Sequence, residues 1–536
     1  MSNSTVPNEK LPDRASPVGQ ESTSHQIIWP GVVIGFGTAV TMWILWYVMH
    51  LPSIRVAAPI SASVLLLALI GAVCLGTRGL GRSAPHAGLI AGLAAALLIL
   101  LLLGSMIFVA GSTPGDATAT FIPSAPLIVA GFLSVCVGAG LIGGLMGRLL
   151  APTRRRDQGF WLGRFACIAI ATLVPLIVVG GAVTSAGAGM AVPDWPGTYG
   201  SNMFLYPIGL MADPYIFLEH THRLFGTLVG LTAIVLTVAV LRAHGGWRSL
   251  LITLPLAGGA FAATIANNAG AIGPGISLPL LGLIAVSLLA WTLYANVRRS
   301  TGGPAAGIVA LVCPQGMHGA LRVHAINPIF GIFHGVLAQL IFGAMVMLAV
   351  SLTIGWRSTV SLPIDTTRAA TASRGVAVAT SACLLLQLTL AALYRHTGSQ
   401  HALWAHVAFA IFVAILVGVL AFLLQRADDY SGPGRSMRRV GRILIVAIIF
   451  QFLMGFAAWG VAGEGGPDRV VATEDIGAVA GPAIDRTIIA TVHQANGAFI
   501  LAMTALGLGW AFRFGRPATA AKPTDAGNVR AAPALG

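Results

Sequence analysis

Apolar segments long enough to cross a lipid bilayer recur along almost the whole chain. An apolar run of about 20 residues spans the hydrocarbon core as a helix, because a helix satisfies its backbone polar groups internally. Only 9% of the 536 residues are charged, which is typical of a chain that belongs in a bilayer. We therefore predict an all-α polytopic membrane protein with about 14 transmembrane helices. The apolar runs begin near Ile27, Pro59, Ala87, Pro126, Leu162, Ile216, Ser249, Ile276, Ala305, Pro328, Gly375, His401, Val440 and Thr487, and the run from Ala305 is the weakest.

The positions of the basic residues predict the orientation of these spans. If the amino terminus is cytoplasmic and the spans alternate in direction, 25 of the 31 Lys and Arg residues lie in inner loops or tails. Such a bias follows the positive-inside rule, so the net charge of +14 does not require a nucleic acid as partner. We expect a multi-pass protein of the cell inner (cytoplasmic) membrane, with both termini cytoplasmic and the lipid bilayer as its surroundings. The outer basic residues are Arg55, Arg223, Arg322, Arg395, Arg469 and Arg486.

Short repeated patterns divide the chain into modules. The segment from Gln315 to Gly319 matches Gln451 to Gly455 as Gln-xxx-Gly, and the segment at 183–187 corresponds to that at 394–398, in the same order. This order predicts a core of two pseudo-symmetric four-helix bundles. We assign residues 1–152 to an accessory module of four spans, 153–360 to the first half, with an inserted helix pair at about 249–297, 361–516 to the second half, and 517–536 to a disordered tail.

Four histidines lie at a similar depth below the outer surface: His222, His334, His406 and His493. A histidine inside a membrane is costly unless it has a partner, and a lone one is typically a hydrogen-bonded interhelical residue. Two per half, on different helices, are what the axial ligands of a six-coordinate haem require, because the two imidazoles must approach the iron from opposite faces. We predict that the four histidines are axial ligands of two haem irons.

The two halves differ in the residues around these histidines. The first half reads Glu219-His-Thr-His-Arg223, whereas the aligned segment of the second half, 403–407, contains no acid. Glu219 and His222 are three residues apart and share a helix face, so the carboxylate could move protons beside a bound haem. A structural ion pair between Glu219 and Arg223 is the alternative. We predict that the first half is the catalytic one and that the second carries electrons.

Other polar residues near the outer surface are weaker candidates. Arg322 and Arg395 follow predicted spans there and could pair with haem propionates, or they could anchor the chain at the interface. The turn-rich aromatic segment 192–200 is consistent with a loop that caps the first-half site. Ordinary interfacial polarity explains His318, His324, His396 and His401. The five cysteines fall inside apolar runs, so neither an outer disulfide nor a cysteine metal site is expected.

An ordered set of motifs resembles the haem A synthase family. The resemblance covers roughly residues 163–513, apart from the inserted pair. It implies an eight-helix core that binds the substrate haem O in the first half and a cofactor haem b in the second. The motifs are Gly181 to Gly189, the Val-Pro-Asp-Trp-Pro loop at 192–196, Glu219 to Arg223, Gln315 to Val323, Phe333-His-Gly335, Leu337-Ala-Gln339, Arg395 to Gly398, and the spans around His406 and His493.

Site roles carry over by position in the motifs. Glu219, His222 and His334 belong to the substrate site, with Glu219 as the catalytic residue, whereas His406 and His493 ligate haem b. The implied reaction oxidises the methyl group of haem O to the formyl group of haem A, through two hydroxylations and loss of water. A haem O synthase and an electron carrier are candidate partners. Paired cysteines found in the first outer loop of some relatives do not occur here.

Two other functions remain open from the sequence. A dihaem b-type cytochrome that passes electrons from quinol to another carrier would use both haems but gives no reason for Glu219 in one half alone. A secondary transporter built from repeats could use the histidines as proton relays. The resemblance says nothing about residues 1–152 or the inserted pair.

Overall fold

The fold is known from a computed structural model, which describes residues 25–109, 120–154, 156–206, 211–268, 271–297, 301–325, 328–353, 356, 362–461 and 482–515. Within these ranges the chain forms fourteen α-helices, one for each apolar run. The prediction of an all-α polytopic membrane protein is thereby confirmed. The segment 517–536, for which a disordered tail was predicted, and Arg469 lie outside the described residues.

The helices follow one another along the chain. They are α1 (His25–Met49), α2 (Ala58–Thr77), α3 (Ala84–Leu102), α4 (Ala125–Leu150), α5 (Gln158–Ser185), α6 (Pro214–His244), α7 (Leu250–Asn268), α8 (Pro274–Val297), α9 (Gly302–Ala325), α10 (Pro328–Ser351), α11 (Ile364–Thr397), α12 (Gln400–Gln425), α13 (Gly432–Val461) and α14 (Ile484–Phe514). Two antiparallel strand pairs lie in loops: β1 (Phe108–Val109) with β2 (Thr120–Phe121), and β3 (Gly197–Thr198) with β4 (Ser201–Asn202).

Thirteen of the fourteen described helices are long and apolar enough to cross a membrane. The exception is α9, which corresponds to the run expected to be weakest. It carries Gln315, His318 and Arg322 in its second half, and these polar side chains lower its hydropathy. The helix forms nevertheless, because it packs between other helices of the bundle, which shield these groups from lipid.

Eight helices form two rings of four. In the first ring α5 packs on α6, α6 on α9, α9 on α10, and α10 on α5; in the second, α11 to α14 contact one another in the same cyclic order. The rings meet where α5 contacts α14, α10 contacts α11, and α10 contacts α14. The first ring, in the order α5, α6, α9 and α10, corresponds to the second in the order α11, α12, α13 and α14. Exchanging each helix with its equivalent leaves this set of contacts unchanged, as a two-fold pseudo-symmetry requires.

The first four helices pack together and dock on the first ring through α1. Helices α3 and α4 approach closely because Gly88 and Gly140 face each other, where a Cβ atom on either would collide with the opposite backbone. On α1, the fully buried Trp43 lies 5.4 Å, centroid to centroid, from the ring of Phe225 on α6. Aromatic contacts between α1 and α6 therefore hold the two parts together.

The inserted pair, α7 and α8, packs mainly on α9, and α8 also touches α10. Neither helix carries one of the four histidines. The largest boundary difference concerns α11, which begins at Ile364 rather than near Gly375. Its extra turns are held by the end of α14, since Thr371 donates to the carbonyl of Gly515 at 2.7 Å. Arg322 and Arg395 lie inside the last turns of α9 and α11, not after them as expected.

Candidate functional site

The four histidines meet as two pairs. His222 of α6 faces His334 of α10 with 6.3 Å between ring centroids, and His406 of α12 faces His493 of α14 with 6.4 Å. The two ring planes cross at 75° in the first pair and 74° in the second. Each histidine lies within the first three turns of its helix and is half-buried. The two rings of helices therefore repeat one geometry.

This separation fits an iron atom held by two imidazoles. With an iron–nitrogen bond of about 2 Å and about 1.1 Å from nitrogen to ring centre, two axial imidazoles have centroids roughly 6 Å apart. A direct hydrogen bond between the rings would bring the centroids closer. Among the described residues no three His, Cys, Asp or Glu side chains converge on a point that could hold a bare metal ion. Two protein ligands suffice for haem, because the porphyrin supplies four nitrogens itself.

Hydrogen bonds fix the orientation of one histidine in each pair. Nδ1 of His334 lies 3.0 Å from the carbonyl oxygen of Gln315, and Nδ1 of His406 lies 3.0 Å from that of Gln387. A carbonyl oxygen only accepts, so Nδ1 carries the proton and Nε2 keeps its lone pair. Each glutamine also bonds to its histidine in the other direction. The side-chain amide of Gln315 donates to the backbone carbonyl of His334 at 3.1 Å, and that of Gln387 donates to the backbone carbonyl of His406 at 2.9 Å. Such outer partners fix the orientation of metal-ligating histidines.

Gln387 was not predicted as a site residue. Its spacing could have identified it, because Gln315 precedes His334 by 19 residues and Gln387 precedes His406 by the same number. The repeat identified the segment that begins at Gln451, but it did not predict the contact between Gln451 and His493. The amide nitrogen of Gln451 lies 3.2 Å from Nδ1 of His493, and its oxygen accepts from Asn496 at 2.8 Å.

Glycines leave room for three of the imidazoles. A Cβ atom on Gly180 would lie 2.8 Å from Cε1 of His222, one on Gly319 3.2 Å from that of His334, and one on Gly455 3.3 Å from that of His493. Gly319 and Gly455 are the last residues of the two Gln-xxx-Gly segments. Each of these two segments therefore contributes both an amide partner and space for the ring.

Glu219 forms a buried ion pair with Arg223 near the start of α6. Arg223 Nη2 donates to Glu219 Oε1 at 2.8 Å, and the two side chains are 8% and 6% exposed. The other oxygen, Oε2, accepts from the backbone N–H of Val192 at 2.9 Å. The ion pair named as the alternative role of Glu219 is thus present, and both carboxylate oxygens have partners.

The loop between α5 and α6, which the sequence analysis places on the outer side, folds around this ion pair. Arg223 donates to three of its carbonyls, those of Val192, Asp194 and Gly197, at 3.2, 2.6 and 2.9 Å. Burial, with the nearby carboxylates of Asp213, Glu219 and Asp194, raises the pKa of Tyr199 to about 12. The Tyr199 hydroxyl therefore stays protonated and donates to the carbonyl of Ala191 at 2.6 Å. The loop is held against α6, beside the first histidine pair.

Two arginines lie close to the pairs. The guanidinium of Arg322 packs against Gly189 of the outer loop and lies within electrostatic range of both His222 and His334. Arg395 donates to the hydroxyl of Ser185, while its Nε is buried without a hydrogen-bond partner among the described residues. Both positions allow the propionate pairing predicted from the sequence. The guanidinium of Arg322 is near the first histidine pair, and that of Arg395 lies where the two rings of helices meet.

His318 differs from its expected place at the interface. Its side chain is fully buried, both ring nitrogens lack hydrogen-bond partners among the described residues, and its ring stacks on Phe333 at 5.8 Å. His396 packs against Gly331, and His401 is exposed at the start of α12. The side chain of His324 lies outside the described residues. His220, also missed, is fully buried and lies 3.2 Å from the hydroxyl of Thr198.

Comparison of the chain with protein-family models, with curated proteins and with solved structures finds no match. The assignment of a function therefore depends on the motifs and the geometry described above.

Proposed function

We propose that this membrane protein is a haem A synthase, which oxidises a methyl group of haem O to the formyl group of haem A. The observation that carries the proposal is the presence of two imidazole pairs, one in each ring of helices, at the separation of axial haem ligands. Bound haem iron supplies the redox chemistry, while the protein supplies ligands, orientation and proton-handling groups. Oxidation of CH₃ to CHO, with the oxygen atom drawn from water, releases four electrons and four protons. An electron acceptor must receive those electrons.

The first pair is the proposed substrate site. His222 and His334 hold haem O, and Arg322 is placed to bind a propionate. Only this half has an acid and a base beside the ligand histidine, in Glu219 and Arg223. We assign Glu219 the catalytic proton transfer, with the outer loop excluding water from the site. For that role its carboxylate must leave at least one of its present partners when substrate binds.

The second pair is the proposed cofactor site. His406 and His493 ligate haem b, and no carboxylate occupies the position equivalent to Glu219, where Leu403 stands. Arg395 lies where the rings meet, bonded to Ser185 of α5, and is the proposed propionate partner. We place the protein in the cell inner membrane with both termini cytoplasmic, so that both pairs lie near the outer surface.

The replacement Glu219→Gln tests the proposal. It keeps the size of the side chain and an oxygen that can accept from Val192, but removes the proton-transfer group. We expect conversion of haem O to stop while both haems remain bound. The measurement is chromatography of haems extracted from cells that co-express a haem O synthase. Unchanged haem O with the wild-type protein, or full conversion with Glu219→Gln, would count against the proposal.

A dihaem electron-transfer cytochrome is the second candidate. The equal geometry of the two pairs favours it, because electron transfer needs no difference between the sites. It would leave haem composition unchanged in the co-expression experiment and would retain quinol-driven haem reduction in Glu219→Gln. Among the described residues a buried ion pair beside a ligand histidine occurs in the first half alone, and this difference favours the synthase.

A further inference from the structure

Three arginines line a cavity at the membrane surface opposite the histidine pairs. The cavity has a volume of about 290 Å³ and lies between the α2–α3 turn and the α4–α5 linker, lined by Arg78, Arg154 and Arg156 together with Gly79 and Pro152. The turn and the linker are joined by a hydrogen bond from the N–H of Arg154 to the carbonyl of Gly79, at 2.8 Å. Gly79 has a φ of +84°, a conformation that glycine adopts readily.

The charges in this cavity are not balanced by described residues. The described residues form two ion pairs, Arg223–Glu219 and Arg438–Asp429, and neither involves a cavity arginine. Nη1 of Arg156 is buried without a hydrogen-bond partner among the described residues. The neighbouring carboxylate of Asp157 accepts from the N–H of Phe160 and caps α5. A buried guanidinium nitrogen without an acceptor is costly, so an acceptor from outside the described chain would stabilise it.

The surroundings of Arg156 add to this imbalance. Its guanidinium lies 4.6 Å from the ring centroid of Phe160, a contact that leaves the charge in place. Burial, followed by the charges of Arg164 and Arg154, lowers the pKa of Arg156. An anion in the cavity would offset both effects.

The cavity lies where lipid headgroups lie. Helix α5 has 28 residues and is roughly 40 Å long, so Arg156 before its start and the outer loop after its end are at opposite membrane surfaces. Leu75 lines the cavity and is 59% exposed, so its side chain faces the lipid. Basic pockets between spans on the cytoplasmic side recognise anionic headgroups.

We propose that the cavity formed by Arg78, Arg154 and Arg156 binds a phosphate-bearing anion. Guanidinium groups recognise phosphate through paired N–H donors, and three of them converge here. The phosphate comes from an anionic phospholipid headgroup or from free phosphate. The exposed apolar rim at Leu75 favours the lipid. This site is independent of the haem chemistry proposed above.

Binding to the purified full-length protein tests this site in two arms. In the first, native mass spectrometry follows phosphatidylglycerol adducts in detergent, with phosphatidylcholine as the uncharged comparison. In the second, the unfolding temperature of delipidated protein is followed as inorganic phosphate is added. The test variant combines Arg154→Gln with Arg156→Gln. The matched control is Arg82→Gln, an exposed arginine next to the same turn that does not line the cavity.

We expect the double variant to bind phosphatidylglycerol about tenfold more weakly than wild type, and Arg82→Gln to bind it as wild type does. A phosphate-dependent shift in the wild type that the double variant loses, without a preference for phosphatidylglycerol, would identify free phosphate as the ligand. A variant with Arg154→Lys and Arg156→Lys keeps the charge but loses the paired N–H donors, so it should bind more weakly than wild type and more strongly than the double Gln variant, which separates lost charge from misfolding. Equal binding by wild type and double variant, or equal loss in Arg82→Gln, would overturn the proposal.

Discussion

Glutamine side chains hold the histidines where the proposed haems bind. The Gln451 amide contacts His493 and is itself fixed by Asn496, so these two residues position the imidazole. Such networks are rigid when each member has its partner. The same residue type serves His334 and His406 through Gln315 and Gln387.

We predict that Gln451→Leu weakens haem retention in the second half by about tenfold, because outer partners of metal ligands typically contribute that much to affinity. The measurement is the haem-to-protein ratio after extensive detergent washing. Gln425→Leu is the matched control, since among the described residues the Gln425 amide donates within its own helix, to the carbonyl of Ala421. Equal haem loss in both variants would contradict the role given to Gln451.

The buried ion pair predicts a strong effect on stability. Arg223→Met leaves Glu219 buried without its cation and removes the donors to three loop carbonyls. We expect the free energy of unfolding to fall by about 3 kcal/mol or more. Equilibrium unfolding in mixed detergent micelles measures it.

The exposed ion pair between Arg438 and Asp429 is the control for the stability loss expected in Arg223→Met. In Arg438–Asp429 the side chains are 39% and 54% exposed, so Arg438→Met should cost less than about 1 kcal/mol. Similar losses in the two variants would show that Arg223 does not anchor the outer loop.

Glycines on the faces of α9 and α13 leave room for the histidines of the facing helices. Gly455→Val and Gly319→Val should displace His493 and His334, since the added Cβ atoms alone would lie 3.3 and 3.2 Å from these rings. We expect each variant to lose haem from its own half only, as measured by the haem-to-protein ratio and the absorption spectrum.

Two glycines on the same helices are controls for these substitutions. Nothing lies within 4 Å of a Cβ atom built on Gly460 or on Gly316, so valine should be tolerated there. Haem loss in Gly460→Val as large as in Gly455→Val would mean that helix propensity, not contact with the ring, explains the result.

The apolar runs of the sequence located all fourteen described helices, although the run of α9 was the weakest. The hydropathy of α9 is low because its polar residues belong to the candidate site and are shielded by neighbouring helices. The start of α11 at Ile364 could not be predicted, since the polar turns there are stabilised by contacts with the distant end of α14. Packing against helices distant in sequence stabilises both α9 and the first turns of α11.

At the scale of the whole molecule, the two rings repeat a single arrangement of helices. The repeated Gln-xxx-Gly segments predicted the duplication, and Gly187 and Gly398 at the equivalent helix ends both have positive φ, at 75° and 70°. The pairing of four histidines could be predicted from their depth and order. The engagement of both Glu219 oxygens could not, because it depends on how the outer loop folds back.

The contact between the rings could not be predicted from the sequence either. Ser185 of α5 receives hydrogen bonds from both Arg395 and Thr491, which lie more than 200 residues further along the chain. The cluster lies where the two halves meet. It therefore places a cation between the proposed substrate and cofactor sites, where propionates of either haem could bind.

We propose that each half binds one haem iron between two imidazoles. A pyridine haemochrome assay, combined with a low-temperature electron paramagnetic resonance spectrum of the purified protein, distinguishes this proposal from its alternatives. We expect low-spin bis-histidine haem in the wild type. We also expect selective loss of the first site in His334→Ala, selective loss of the second in His406→Ala, and no loss in His50→Ala, whose ring stacks on Trp46. A wild-type protein without a Soret band, or equal spectra in all four proteins, would contradict it.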